Sequence, residues 1–466
     1  MSGHTLVIGC VGKPSVGKST FFNAVTEGKA KVGNFPFTTI EPNTGVTYFR
    51  AECASVSRGK ADVCVPRYGR LREEDGVRFI PVQLLDVAGL VPGASEGAGL
   101  GNKFLNDLCG ADVLVHIIDA SGTTNEKGEA TTGYDPLNDA DWLIGELESW
   151  VFGNLYGRWA TVARRHSATK SDAASTLQSQ LSGYKADRQM ICSLLDKMGV
   201  KDPVKFTEWG EEEVRGLVSA FVAERFPMVL LLNKADQGGE TDRHIQRIIE
   251  KFEPRNIPCV VGSAAAEVFL KNAKKKKFIK YLEGADHFTT LEDERDDLDF
   301  RRSRGEENVP DGSNLEAEYA VPEPKVAKRL ERLKDMVMYR FGGTGAWQAV
   351  QTAVELKNPA VAYPVRSLTS FATDSAGSGG AFADAYMVKE GTTVRQLANM
   401  ISPHLAENFA YAEGEDGRRL GEDHVVTGLD FIVRFTTRET TAPPATGSGG
   451  SSGGGGSGGS GSGGSG

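Results

Sequence analysis

Long apolar runs are missing from this 466-residue chain: nothing approaches the ~18 to 20 consecutive apolar residues of a membrane span, so insertion into a bilayer is not expected. Excess positive charge is missing too. With 53 Lys and Arg against 62 Asp and Glu the formal net charge is -9, which argues against a chain that coats nucleic acid and leaves room for local phosphate contacts alone. Neither DNA nor a membrane is an expected partner. The six cysteines, Cys10, Cys53, Cys64, Cys109, Cys192 and Cys259, show no C-x-x-C spacing, and the opening Met-Ser-Gly-His-Thr lacks the basic and apolar regions of a signal peptide. Free thiols in a reducing cytoplasm are expected. A metal held by Cys53 and Cys64 finds no matching cysteine pair or histidine at the usual spacing.

What is present is an ordinary globular composition, 39% hydrophobic and 25% charged, at a length that predicts two to four domains of roughly 100 to 200 residues each. The run Thr5 to Val11 predicts a short strand, a Gly-rich turn follows, and Thr20 to Val25 predicts a helix. Pro81 to Asp86, Val113 to Asp119 and Met228 to Asn233 are apolar runs that each end in a polar residue, as buried parallel strands do where they deliver side chains to a site. A doubly wound α/β sheet is expected.

Between the last two strands the period changes. Leu143, Leu147, Trp150, Val151 and Leu155, then Leu177, Leu181, Tyr184, Ile191, Leu194 and Leu195, recur at helical spacing and predict an inserted helical hairpin at 136–225, with His166 in a solvated turn between its arms. His116, inside its apolar strand, reads as a satisfied core histidine. The stretch 285–325 is acidic and poor in apolar residues and predicts a flexible insertion. A helical segment is expected over 326–383, then a β-rich domain over 384–437 with strands at Ala385 to Val388, Gly391 to Thr393 and Phe431 to Phe435. Residues 438–466 end in a tract of Gly and Ser alone, expected to be coil.

The chemistry is carried by Gly12-Lys13-Pro14-Ser15-Val16-Gly17-Lys18-Ser19 with Thr20 after it, a G-x-x-x-x-G-K-S phosphate loop between a strand and a helix. Its glycines let backbone N–H groups turn onto phosphates, Lys18 supplies a point charge to the β and γ phosphates, and Ser19 offers a hydroxyl to Mg²⁺. Further elements follow in GTPase order. Asn34-Phe35-Pro36-Phe37-Thr38-Thr39 can serve as a first switch with Thr39 on the metal; Asp86-Val87-Ala88-Gly89 is a D-x-x-G element in which Asp86 holds Mg²⁺ through water and the Gly89 amide meets the γ-phosphate. Asn233-Lys234-Ala235-Asp236 is N-K-x-D, where Asp236 can accept both the N1–H and the 2-amino proton of guanine, a pair adenine cannot present. Ser263 and Ala264 would complete the base pocket, the Ala264 amide donating to guanine O6.

These motifs, together with Ile40-Glu41-Pro42-Asn43, Leu90-Val91-Pro92-Gly93-Ala94 and Gly99-Leu100-Gly101-Asn102-Lys103-Phe104-Leu105, resemble the Obg-related GTPases, in an archaeal and eukaryotic branch close to YchF. The resemblance covers residues 5 to about 437 and implies an α/β P-loop GTPase fold: a doubly wound sheet split into 1–135 and 226–284, the helical insertion, and a C-terminal β-grasp (TGS) domain. It also implies Mg²⁺ and GTP or GDP as ligands, and a ribosome or ribosomal RNA and a GTPase-activating protein as partners. Two positions depart from the close relatives. Asp236 stands where ATP-preferring members carry Glu, and Ser15 where potassium-activated members carry Asn. In Ras-type enzymes a Gln after the D-x-x-G glycine orients water; Leu90 cannot, so slow intrinsic hydrolysis is expected. A nucleotide-stabilised scaffold that binds a protein partner with little turnover, or an ATP-preferring relative, stays open as the alternative, while N-K-x-D and the first switch disfavour a small-molecule kinase. The Lys cluster 271, 274–277 and 280 reads either as a solvated helix face or as a contact for RNA phosphate.

Overall fold

The computed structural model describes residues 6–26, 44–87, 107–306, 309–310, 312, 314–373 and 380–438. Thr5, the first switch from Asn34 to Thr39, Gly89, Leu90, the 99–105 motif and the Gly/Ser tract lie outside these residues.

The described residues build a seven-stranded sheet from β1 (Val7–Val11), β2 (Thr44–Glu52), β3 (Arg70–Arg72), β4 (Val77–Asp86), β5 (Val113–Asp119), β6 (Met228–Asn233) and β7 (Cys259–Val261). The order is β2-β4-β1-β5-β6-β7, with β3 beside β4. Strands β4, β1, β5, β6 and β7 run parallel, whereas β2 and β3 lie antiparallel to β4. Strand β2 went unforeseen because Thr47 and Arg50 interrupt its apolar residues; pairing along the whole of β4, from Thr44 opposite Leu85 to Glu52 opposite Val77, makes it a strand.

Both faces of the parallel strands are buried, which explains their unbroken apolar character. On one face Leu114, Ile118, Leu230 and Leu232 pack against the helical insertion and α8 (Glu240–Phe252); on the other Val113, Val115, Ile117, Val229 and Leu231 pack against α1 (Lys18–Val25) and α13 (Ala346–Glu355). Each such Leu or Val, fully buried, contributes about 1.5–3 kcal/mol. A short helix, α2 (Ala54–Ser57), lies between β2 and β3.

The insertion is a set of five helices rather than a two-armed hairpin: α3 (Leu137–Tyr156), α4 (Trp159–Thr169), α5 (Ala173–Leu181), α6 (Arg188–Lys197) and α7 (Glu211–Arg225). Caps cut the helical period. Asp172 and Asp187 accept from the Ser175 and Met190 amides, and Lys170 closes α4 in the left-handed region at φ 50°. His166 does not sit in a solvated turn. It is buried on α4, with Nδ1 2.8 Å from Thr176 Oγ1, Nε2 3.0 Å from the Val204 carbonyl and its ring against Phe206, because the bundle closes around Trp159, Phe206 and Trp209. Arg225, at the end of α7, locks the bundle to the sheet domain by donating to the carbonyls of Tyr184, Ala111 and Cys109.

After α9 (Ala264–Lys275) and the short ladder β8 (Lys280–Tyr281) with β9 (Phe288–Thr289), the acidic stretch expected to be flexible contains a helix, α10 (Leu291–Ser303). Within it Leu298 alone is buried, so apolar packing does not explain it. Thr290 and Asp293 form a reciprocal cap, and ion pairs from Lys280 to Glu294, Lys334 to Asp293 and Arg295 to Glu316 tie the helix to its surroundings and to the next one, α11 (Leu315–Glu318).

The chain continues through α12 (Pro324–Leu333) and α13 into a second sheet: β10 (Ala360–Val365), β11 (Tyr386–Val388), β12 (Phe409–Gly414), β13 (Arg419–Leu420) and β14 (Phe431–Thr437), ordered β11-β10-β14-β12-β13 with α14 (Val394–Ile401) on one face. This is the expected β-grasp arrangement. It starts at Ala360 and not at 384, because β10 belongs to it. The strand alternates between two cores: Ala360 and Ala362 face the small domain, while Val361, Tyr363 and Val365 face the large sheet. Gly391 to Thr393 is not a strand; Thr393 caps α14 in a reciprocal pair with Gln396. No helix among the described residues is long and apolar enough to cross a membrane.

Thr290→Ala removes both hydroxyl bonds of the α10 cap, so the helix is expected to lose about 1 kcal/mol. Hydrogen exchange should speed up about fivefold across 291–303 and stay unchanged in β5 and β6; uniform acceleration, or none, would show that the cap does not hold this helix.

Candidate functional site

Strand register brings the motif residues to one edge of the sheet. Cys10 lies opposite Asp86, Val11 opposite His116, Asp119 opposite Asn233 and Leu232 opposite Val261, so the carboxyl ends of five strands finish side by side. The phosphate loop leaves β1 there. Gly12 at φ 148° and Gly17 at φ 103° occupy backbone space closed to other residues, and a Cβ on Gly12 would meet the Ile117 carbonyl at 2.5 Å. Ser15 takes φ 63° at the tip of the loop. Helix α1 then begins at Lys18, its first turn pointing free N–H groups toward the loop, a site suited to anions.

Lys18 reaches back to the carbonyls of Gly12 (3.1 Å) and Lys13 (2.9 Å). Burial pulls its ammonium below the usual lysine range, and the Asp86 carboxylate works against that. Burial likewise lifts Asp86 above the usual carboxylate range, with Lys18 opposing. Ser19 is exposed on the first turn of α1, and no described residue engages its hydroxyl. The two side chains are hard oxygen donors, the chemistry Mg²⁺ selects. Thr39 and Gly89, the other expected γ-phosphate and metal contacts, lie outside the described residues.

Lys13 does not offer its side chain to phosphate. Its ammonium is buried in an ion pair with Asp139 of α3 at 2.6 Å, donates to the Thr124 carbonyl at 2.8 Å and lies 4.0 Å from the Tyr134 ring centre. Burial raises the Asp139 carboxyl, while Lys13 and the Tyr134 hydroxyl at 2.8 Å pull it down. Pro14 is covered by Gly128, where a Cβ would fall 2.6 Å from the Pro14 carbonyl.

On the base side, Asn233 donates from Nδ2 to the Val16 carbonyl at 2.7 Å and accepts at Oδ1 from the Ala264 amide at 2.9 Å. Ala264 is therefore occupied, and its expected role toward the base does not fit. Ser263 caps the first turn of α9 by accepting from the Ala266 amide, which leaves Ala265 as the next N–H without a described acceptor. Lys234, at φ 63°, pairs with Asp119 at 2.7 Å. Burial raises Asp119, but Lys234 and the hydroxyls of Ser121 and Thr124 outweigh it and hold the carboxylate below its ordinary range. Asp236 sits half-buried on the 3-10 turn Ala235–Gln237, and among the described residues no partner takes its carboxylate.

Sequence reasoning missed the support beneath this turn. Glu267 of α9 is fully buried and accepts from the hydroxyls of Tyr281 (2.8 Å) and Thr344 (2.5 Å) and from Trp347 Nε1 (3.0 Å), while the Thr344 carbonyl accepts from the Ser263 amide at 2.9 Å. A Glu four residues after Ser263, inside an apolar helix, was the available signal. The Lys cluster divides. Lys271 donates to the carbonyls of Ala24 and Thr26 at the end of α1, and Lys280 pairs with Glu294 and Glu318, whereas Lys274 to Lys277 are exposed.

A parallel sheet with a glycine-rich loop leading into α1 and an N-K-x-D turn beside it defines a P-loop guanine-nucleotide-binding domain. Residues 7–141 match the family model described as 50S ribosome-binding GTPase, and residues 231–367 match that of the Obg-like GTPase YGR210-like, G4 motif-containing domain. An uncharacterized GTP-binding protein of Schizosaccharomyces pombe is 40% identical over 94% of this chain and 100% of its own length. Another from Methanocaldococcus jannaschii is 35% identical over 91% and 98%. The crystal structure of a GTP-binding protein from Pyrococcus horikoshii superposes with a TM-score of 0.63 at 27% identity, covering 93% of this chain and 100% of that one. The chain belongs to the Obg-like GTPase family.

His116 is a core residue, 1% exposed, yet its Nδ1 has no partner among the described residues, so within them it is not the satisfied histidine expected. Burial, aided by the Lys18 charge, pushes its imidazole down to about 3. Between pH 6.5, where an unfolded histidine titrates, and about 3, the unfolded chain binds the extra proton, so this contribution is complete above pH 6.5 and shrinks as pH falls. Going from pH 7.5 to 5.5, His116 should remove about 1.4 kcal/mol of stability. Urea unfolding at the two pH values, compared between wild type and His116→Leu, measures it; an identical pH response in both chains would mean His116 does not stay neutral in the fold.

Proposed function

We propose that this chain is a Mg²⁺-dependent GTP-hydrolysing switch that acts at the ribosome. The observation that carries the guanine reading is the division of labour on one turn: Asn233 and Lys234 are taken by protein atoms, and Asp236 is left with two acceptor oxygens facing no described partner. Guanine offers the matching N1–H and 2-amino donors, and the Ala265 amide is the group left to donate to O6. An adenine there would set its N1 lone pair against a carboxylate.

Around the phosphates, the loop amides from Ser15 to Thr20 and the Lys18 ammonium bind and orient the β and γ groups and stabilise the charge that spreads over the transferred phosphoryl oxygens. To do so Lys18 exchanges the carbonyls of Gly12 and Lys13 for phosphate oxygens. Ser19 and Asp86 would hold Mg²⁺, with Thr39 as a third group; when bound, the ion neutralises charge on the β and γ oxygens. Water adds to the γ phosphorus as the bond to the β-phosphate oxygen breaks, giving GDP and phosphate. With Leu90 at the position of the water-orienting Gln, no side chain at that position hydrogen-bonds the attacking water, so the reaction is slow until a partner or backbone group orders the water. Thr39 and Gly89 read the γ-phosphate, the C-terminal β-grasp unit acts as a TGS domain, and Lys274 to Lys277 supply contacts to ribosomal RNA phosphate in the cytoplasm.

In competition against labelled GDP, GTP and GDP should displace at least about tenfold better than ATP and ADP, since each unpaired buried polar group costs about 1–3 kcal/mol. Asp236→Glu should weaken guanine binding without unfolding the chain. Equal displacement by ATP would discard the guanine assignment. For the switch itself, sucrose-gradient sedimentation with ribosomes should show occupancy that differs between GTP-analogue and GDP states, falls with moderate salt and resists bulk RNA. Single-turnover hydrolysis should rise when ribosomes are added. Equal occupancy in every nucleotide state with unchanged hydrolysis would leave a nucleotide-stabilised scaffold as the better description.

A further inference from the structure

Away from the nucleotide edge, the large sheet meets the C-terminal β-grasp unit around two buried thiols. Cys53 follows β2 and is 1% exposed; Cys64 follows the turn Ala61–Val63 and is 8% exposed, and their sulfurs lie 3.9 Å apart. Arg78 of β4, wholly buried, sets Nη1 3.9 Å from Cys53 Sγ and 3.8 Å from Cys64 Sγ. The same guanidinium donates to the carbonyls of Phe382 (2.5 Å) and Ala383 (2.8 Å) and lies 5.6 Å from the Tyr363 ring. Ser55 adds a hydroxyl bond to Cys53 Sγ at 3.1 Å.

No carboxylate pairs with Arg78 among the described residues; the nearby Asp384 is held by Arg67 at 3.2 Å. The buried Asp384 carboxylate attracts Arg78 from beyond contact distance, and of the groups within 4 Å of Nη1 the two sulfurs are the ones able to take up a negative charge. This arrangement selects a thiolate beside a thiol. It disfavours a bound metal cation, which would have to share the space with Arg78. Consistent with that, the hydrogen bond between the two sulfurs, with help from Ser55 and Arg78, holds the Cys53 thiol below its usual range while Cys64 is raised.

We propose that Cys53 and Cys64 form a redox pair that a hydroperoxide converts to an intramolecular disulfide. The Cys53 thiolate attacks one peroxide oxygen; the O–O bond breaks, hydroxide leaves and takes up the proton that Cys53 had released, and Cys53 becomes a sulfenic acid. The Cys64 sulfur then attacks the Cys53 sulfur, the S–O bond breaks, and water departs with the Cys64 proton. Two thiols and one hydrogen peroxide thus give one disulfide and two waters, and a dithiol reductant reverses the change. The sulfurs must close from 3.9 Å to a bond of roughly 2.0 Å. Val63 and Val65, on either side of Cys64, are 45% and 64% exposed, so the Cys64 side of the pair lies next to the surface, and peroxide has to pass that edge to reach the Cys53 sulfur. Cys10, Cys109 and Cys259 lack this setting: burial raises Cys10 and Cys109 and pushes Cys259 up to about 12. Oxidation also removes the sulfur charge beside Arg78, the residue that holds β4 to Phe382 and Ala383, so the contact between the two sheets should loosen.

The test treats the reduced, full-length chain with a few equivalents of hydrogen peroxide, quenches in acid, alkylates under denaturing conditions and maps the peptides. The expected result is a Cys53–Cys64 cross-link with a loss of about 2 Da, formed before Cys192 or Cys259 is modified and reversed by dithiothreitol. Hydrogen exchange at 380–388 should rise at least about tenfold in the oxidised chain, the size expected for one lost charge-assisted bond. Cys64→Ser should stop at a Cys53 sulfenic acid that dimedone captures; if that variant does not fold, the wild-type map still decides. Oxidation of Cys192 or Cys259 while Cys53 and Cys64 remain thiols, cross-linking that appears in denaturant alone, or stoichiometric zinc retained on both thiols would each overturn the proposal.

Discussion

One carboxamide joins the two halves of the nucleotide edge. Asn233 spends its Nδ2 donor on the Val16 carbonyl of the phosphate loop and its Oδ1 acceptor on the Ala264 amide of the base turn, and it is 3% exposed while doing so. No other side chain of this length carries a donor and an acceptor at that separation in a planar group. Aspartate would set a charge against the Val16 carbonyl, and leucine would strand two buried backbone groups. Because both bonds end on backbone atoms, the loop after β1 and the turn after β7 are placed relative to each other through a strand that neither touches in sequence. The same strand end delivers Lys234 to Asp119, so β5 is drawn into the assembly as well.

The edge is also tied to what surrounds it, by polar contacts buried too deeply to be decorative. Lys13 and Asp139 fasten the phosphate loop to the first helix of the insertion, and Arg225 fastens the last helix of the insertion to carbonyls that precede β5. A buried ion pair is weak evidence for stability, since desolvation cancels much of the attraction. What it does provide is geometry: neither partner tolerates losing the other, so a shift of the loop must move α3 or break the pair. On the opposite side, Glu267 gathers Tyr281, Thr344 and Trp347 beneath the base turn, and Thr344 returns a carbonyl to Ser263. The nucleotide edge is thereby supported from the insertion, from α13 and from within the sheet.

The parts of this arrangement that sequence reasoning reached are those whose chemistry is local. The phosphate loop needs its glycines at fixed spacing because each solves a backbone problem where it stands, and the strands ending at Asp86, Asp119 and Asn233 announce themselves by unbroken apolar runs. Where the reading went astray, the deciding partner was distant. Helix α10 looked like a flexible acidic tract because its stabilising cations, Lys280 and Lys334, lie outside it. His166 looked solvated because nothing nearby in sequence shows that Thr176, Val204 and Phe206 close over it. Strand β10 passed as part of a helical segment because its partners β11 and β14 come later in the chain.

By itself, then, the sequence determined which chemistry is on offer: a cradle of amides and a lysine for phosphates, hard oxygen donors for a divalent cation, and a carboxylate that matches guanine. The tertiary structure decided which of those groups are still available. Lys13, inside the motif, is consumed by Asp139; Ala264, the expected donor to the base, is consumed by Asn233; Asp236 is left without a described partner. The physical reason is that a hydrogen-bonding group has a small, fixed capacity, and what fills it is set by atoms brought close in space from positions more than a hundred residues away, as Asp139 is from Lys13 and Val16 from Asn233.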